Sequence, residues 1–316
     1  MRECHHLRNY SNMFKRIIIL LTMKKKRFIL LAVLSVLLSA CSSNNEEIVD
    51  IKSGKYSKME VVGVLHNNTM TSVLNKMKSR PNSMPTDDYE AKLNYVAKIT
   101  KSSIEEVIDF DMKSNQVLKY KYFLDSDAFC SKIISHKNYT RGEKNVEAII
   151  DKMTKAYDSE CLYLDSLPCI DEMIYALKEK NIISNKAAVI LQNVQNLICR
   201  STEGTISDAE FQRQIHKNWE TLDAANFDEK SLDGAGIAAV LYATEASFEW
   251  WNENQNDLSL EGKVAPMVAL DGAGAAVGLL LHCGKHWYDK LVWQDVLYDV
   301  GSAAIYTSVG GFKFVK

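Results

Sequence analysis

Proline is scarce: Pro81, Pro85, Pro168 and Pro266 are the only 4 in a chain of 316 residues. Long helices accept that scarcity, whereas a fold of many short strands needs breakers more often. A basic surplus is missing too, since 38 Lys and Arg face 40 Asp and Glu, for a formal net charge of -2. Nucleic-acid binders concentrate positive charge, so that class of partner is set aside. The 7 cysteines include no Cys-x-x-Cys pair, which removes thioredoxin-like chemistry. Gly-x-Ser-x-Gly, P-loop and dinucleotide fingerprints are also lacking. With 47% apolar and 25% charged residues, the chain can bury a large core without disulfides or metal.

What is present begins with an ordered series of segments near the N-terminus. Met23-Lys-Lys-Lys-Arg27 is cationic, Phe28 to Leu38 is almost wholly apolar, and Ser39-Ala40-Cys41 closes the run. A basic start, a short apolar core and small residues before a break are the parts of a secretory signal. The apolar run is about 11 residues against about 20 for a spanning helix, so it suits a translocon but not a permanent span. Leu38-Ser39-Ala40-Cys41 resembles the lipobox of bacterial lipoproteins. That resemblance implies cleavage between Ala40 and Cys41, a diacylglyceryl group on the Cys41 thiol and acylation, typically palmitate, of the freed amine. One acyl chain anchors only marginally, at about 0.8 kcal/mol per buried methylene, whereas two or three hold durably. An ordinary signal peptide with an incidental Cys is the plainer alternative.

The tail Ser42-Ser-Asn-Asn-Glu-Glu47 has no Asp directly after the Cys, and its acidic residues resemble the surface-export signals of Bacteroidetes lipoproteins. This resemblance implies an outer-membrane protein facing the surface or the periplasm. The expected organisation is a signal peptide over 1–40, a lipidated tether over 41–55, a helical domain over 56–225 and a Gly/Ala-rich helical repeat region over 226–316. Residues 1–22 are expected to lie upstream of a true start at Met23.

Helical spacing covers Tyr56 to Met77, and Ser79 to Asp88 reads as a Pro- and Ser-marked loop. Ser103-Ile-Glu-Glu106 has the form of a capping box that would open a helix carrying Val107, Ile108 and Phe110. Val117 to Leu124 reads as helix over strand. Further helices are expected over Val146–Tyr157, Pro168–Lys178, Asn185–Cys199 and Asp208–Thr221, with Pro168 just inside a helix start and Ser207 as a cap. The acidic pairs Asp87-Asp88 and Glu105-Glu106 read as solvated helix starts. The fold class is therefore all-α, a helical bundle.

An internal repeat marks the last third. Leu232-Asp-Gly-Ala-Gly236 returns as Leu270-Asp-Gly-Ala-Gly274, with a degenerate third copy at Asp299-Val-Gly-Ser-Ala-Ala304. Each Gly costs about 1 kcal/mol inside a helix, so such clusters imply tightly crossing helices. The Asp heading each cluster is expected to cap a helix start.

Several residues invite a chemical reading. Val264 to Cys283 carries Asp271 as its only charge and contains Gly274-x-x-x-Gly278, as a membrane-inserting segment would; Pro266, Asp271 and the glycines favour a buried core helix. His282 and His286 have zinc-ligand spacing, but no Glu follows His282, and Gly284 is expected to end the helix between them. In the expected mature chain Cys130, Cys161, Cys169, Cys199 and Cys283 remain besides Cys41, an odd set that suggests one disulfide or none. Gly63-Val-Leu-His66-Asn67 resembles a Gly-x-x-His-Asn stretch in Bacteroidetes lipoproteins of no assigned activity, several of them Gly/Ala-rich at the C-terminus. His66 is expected to be a polar helix-start residue rather than a catalytic one. Asp165-Ser166-Leu167 resembles a Bacteroides O-glycosylation motif, and helix capping accounts for it equally.

The sequence thus leads us to expect a membrane-anchored, non-catalytic interaction or envelope component with no cofactor and no metal. Its expected partners are the membrane, through Cys41, and an envelope protein or surface ligand. Two rivals stand beside this: a bacteriocin-like, membrane-active effector using the C-terminal helices, and a metal-dependent hydrolase.

Overall fold

The computed structural model describes residues 54–79, 85, 88–107, 119–134, 145–256, 264–286 and 293–312. Ala40, Cys41 and the signal segment lie outside these residues, as do Ile108 and Phe110. All of the described residues lie in one compact unit.

Among the described residues there is no strand, and the fold is all-α. Nine long helices follow in order: α1 (Glu60–Ser79), α2 (Tyr89–Val107), α3 (Val146–Asp158), α4 (Ile170–Glu179), α5 (Asn185–Thr202), α6 (Asp208–Ala225), α7 (Leu232–Asn254), α8 (Ala265–His286) and α9 (Trp293–Gly311). Short helical pieces at Gly54–Met59, Lys121–Leu124, Ser126–Phe129, Cys130–Ile134 and Leu164–Ser166 join them. Of the helix expected over 117–124, residues 119–124 are described, and they form a turn at 119–120 followed by a single 3-10 turn at Lys121–Leu124.

Side chains of the preceding residue start most of these helices. Asn145, Ser184, Ser207 and Ser231 each accept a backbone N–H at the third helical residue of α3, α5, α6 and α7. Buried residues then recur on one face, as with Ile149, Met153 and Ala156 in α3. α6 stops at Asn226, which takes a left-handed conformation (φ 52°).

α8 is the centre of the unit. From Val268 to Gly284 every residue is buried, and α8 packs against α3, α4, α5, α7 and α9. Gly274 and Gly278 let α9 in: a Cβ at either would press on a backbone carbonyl of α9, that of Ala303 or Asp299. Gly63 does the same between α1 and α7, where its Cβ would lie 2.8 Å from that of Ala246. The Gly/Ala clusters therefore mark close helix crossings, as their composition suggested.

Four local expectations fail, each for a tertiary reason. Ser103 opens no helix; it is buried in the last turns of α2, where its hydroxyl meets Ser72 at 3.1 Å. The apolar series Leu93, Val96, Ala97 and Ile104 runs through it, so Glu105 and Glu106 lie at the C-terminal end of α2, whose N-terminal N–H groups are held by Asp88. Pro168 precedes α4, whose cap is Cys169, its N–H donating to Glu172 at 3.2 Å. Gly284 does not end α8, which continues to His286 because its flanks are packed; a Cβ there would lie 3.0 Å from Met153. His66 is no helix-start residue either: it lies within α1 with no exposed surface.

Candidate functional site

The polar groups capable of chemistry converge in the core, in two clusters astride α8. The first begins with His66 on α1. Its Nδ1 lies 2.9 Å from Asn67 Oδ1 and its Nε2 lies 2.7 Å from Ser308 Oγ on α9. An amide oxygen only accepts, so Nδ1 carries a proton and Nε2 accepts from the Ser308 hydroxyl in the neutral ring. Asp271 Oδ2 lies 3.6 Å from the same Nε2. That carboxylate oxygen also accepts from Trp251 Nε1 at 2.8 Å and from the Ser247 hydroxyl, both on α7. Asp271 Oδ1 has no hydrogen-bond partner.

The second cluster lies at the other end of α8. His282 Nδ1 is 2.9 Å from Asp299 Oδ2 on α9, and Tyr157 of α3 donates its hydroxyl to that oxygen at 2.8 Å. Burial and then the Asp299 charge push the Tyr157 phenol well above its ordinary value. Lys119, almost fully buried, donates to the carbonyl of Tyr157 and sits 3.8 Å from the centre of its ring. Burial lowers the Lys119 ammonium, while Asp299 and then Asp158 pull it back up. The His286 ring lies 4.9 Å from that of His282, on the same face as the spacing required.

Neither Asp271 nor Asp299 caps a helix. Each sits inside its helix and reaches across to a neighbour, which corrects the expectation for the second and third repeat copies. In the first copy the cap is Ser231, and Asp233 accepts from the N–H of Ser184 at 3.1 Å. His66, expected at a helix end, proves to be the hub of the first cluster. Nothing in the local pattern around Gly63 and Asn67 announces partners on α7, α8 and α9.

The order Ser308, His66, Asn67 has the connectivity of a nucleophile, a base and an orienting group. Accessibility decides against that use in this conformation: Ser308, His66 and Asp271 have no exposed surface. A shallow cleft between α1 and α7, about 390 Å³ with its open mouth, reaches Asn67 but is lined by neither His66 nor Ser308. Its walls include Glu60, Glu245 and Glu249.

Among the described residues no group of three His, Cys, Asp or Glu side chains is placed to hold a metal. The five cysteines Cys130, Cys161, Cys169, Cys199 and Cys283 are all free thiols. Burial raises Cys130 to about 11 and Cys199 to about 12, so neither is a ready nucleophile. Asp165, in the glycosylation-like triplet, pairs with Lys132 at 2.7 Å on the surface and caps nothing. No protein-family model, curated protein or solved structure matches the chain.

Proposed function

We propose that the protein is a lipid-anchored component of a bacterial outer membrane whose helical unit acts by binding a partner rather than by turning over a substrate. The anchor half of this reading rests on the order of basic, apolar and small residues before Cys41. The binding half rests on one observation: His66, Asp271, His282 and Asp299, the polar groups gathered in the two clusters, are enclosed and bonded across helices. His66 with Ser308 ties α1 to α9, Trp251 with Asp271 ties α7 to α8, and His282 with Asp299 ties α8 to α9. Groups used in this way specify helix register and orientation. The remaining opportunity for function is the outer surface, which an anchor would keep close to other envelope components.

The test is direct. In a Gram-negative host, the parent chain should incorporate labelled palmitate and fractionate with outer membranes. Cys41→Ser should carry no label and move to the soluble fraction. Retention of the Cys41→Ser chain on membranes as firm as the parent's would remove the anchor from the account.

A further inference from the structure

We propose that His282 and His286 form a binding site for a divalent transition metal at the C-terminal end of α8, with Asp299 of α9 as the positioning residue behind the first ring. This departs from the expectation of no metal. It is independent of the lipid anchor and stands whether or not Cys41 is acylated.

The first observation is the spacing of the rings. Because α8 stays helical through Gly284 to His286, the two histidines share a face, and their ring centres stand 4.9 Å apart. A metal bound about 2.1 Å from a ring nitrogen lies about 3.2 Å from the centre of that ring. Two such spokes across 4.9 Å meet at about 100°, close to the tetrahedral angle. His286 is half-buried at the helix end, so the pair is open to solvent on that side. Two protein donors are fewer than the three or four of familiar zinc sites, and water fills the other positions.

The second observation is how His282 is held. A carboxylate only accepts, so the 2.9 Å contact from Nδ1 to Asp299 Oδ2 places the proton on Nδ1 and, in the neutral ring, the lone pair on Nε2. A carboxylate in that position fixes the tautomer and orientation of a ligating histidine and makes its other nitrogen more basic. Tyr157 steadies the arrangement: it donates to the same oxygen at 2.8 Å, and the edge of its ring meets both imidazoles. The contrast with His66 is informative. There both ring nitrogens are engaged, by Asn67 and Ser308, whereas no described residue bonds Nε2 of His282. Imidazole nitrogens of this kind suit zinc, copper and nickel. The nearby ammoniums are already committed, Lys119 to the Tyr157 carbonyl and Lys285 to Asp158 at 2.7 Å. Asp299 and Asp295 supply the opposite charge, felt at Tyr157 after the larger effect of burial.

The probe is Ni2+ added to the untagged full chain, with thermal unfolding as the readout. Unfolding registers only metal that the fold holds better than the open chain does, which sets aside simple chelation by neighbours such as His5-His6. Saturating Ni2+ should raise Tm by about 5 °C, and Mg2+, which prefers oxygen ligands, should leave it unmoved. His286→Ala should abolish the Ni2+ shift while its metal-free Tm stays near the parent's. Asp299→Asn should raise the Ni2+ concentration that gives half the shift by about 10–100-fold, whereas a merely structural Asp299 would change the metal-free Tm alone. His216→Ala, on α6, should respond like the parent. A parent chain whose Tm ignores Ni2+, or a His286→Ala chain raised as far as the parent, overturns the site. An unchanged half-point in Asp299→Asn overturns the positioning role. Should His286→Ala not fold, modification of the native chain by diethyl pyrocarbonate decides. Ni2+ should slow the reaction of His286 at least tenfold and leave His216 alone, and equal rates at His286 with and without metal refute the site.

Discussion

Single residues at helix crossings set the tolerances of this fold. Gly278 and Gly236 are both buried glycines in helices, yet they face different obstacles. A Cβ at Gly278 meets the backbone of Asp299, which cannot turn aside; one at Gly236 meets the end of the Leu279 side chain, which can. Gly278→Ala should therefore destabilise by about 1–3 kcal/mol, as overpacking does, while Gly236→Ala costs markedly less. Urea midpoints of the two variants check this, and equal shifts would contradict it. At this scale the sequence was informative about composition but not about contact. Gly63, His66 and Asn67 stood out as a motif, whereas the partner of His66 on α9 lies 242 positions away. Local periodicity carries no record of such a pairing.

At the scale of elements, helix starts were legible wherever a side chain caps them. α3, α5 and α6 begin at Val146, Asn185 and Asp208 as expected, because Asn145, Ser184 and Ser207 supply the cap. Helix ends were read short, at Cys199 and Thr221 instead of Thr202 and Ala225, since packing rather than a breaker carries those last turns. The Ser103 pattern failed because a cap motif inside a continuous apolar series is outvoted by burial. Asp233 misled for a related reason: it lies beside the true cap, Ser231. Ser231→Ala should cost about 1 kcal/mol and Ser231→Asp much less, because the carboxylate can also accept the Gly234 N–H. Thermal melts of both variants decide it, and identical losses would mean that Ser231 does not act as the cap.

For the whole molecule, the all-α class and the tight C-terminal crossings followed from few prolines and clustered glycines. What could not be read is that the last helices occupy the middle. Burial also sets the response to alkali. Tyr56, Tyr120 and Tyr157 are held above their ordinary value of 10.0, by burial first and by nearby Asp charges second. In the unfolded chain these phenols lose their protons near that value. Above pH 10.0 the unfolded state therefore binds fewer protons than the folded one, and stability falls as pH rises. Cys130 and Cys199 begin the same loss from 9.0 upward. Tyrosinate absorbance should rise together with loss of helical circular dichroism above pH 10.0, and phenols ionising in a fully helical chain would count against this.

The central position of α8 and α9 has a consequence for biosynthesis. α8 and α9 follow α1 to α7 along the chain, so the faces that α1, α5 and α7 turn toward them stay uncovered until that stretch has been made. Until then the chain is held by the packing that the earlier helices make among themselves, as between α1 and α7 and between α6 and α7.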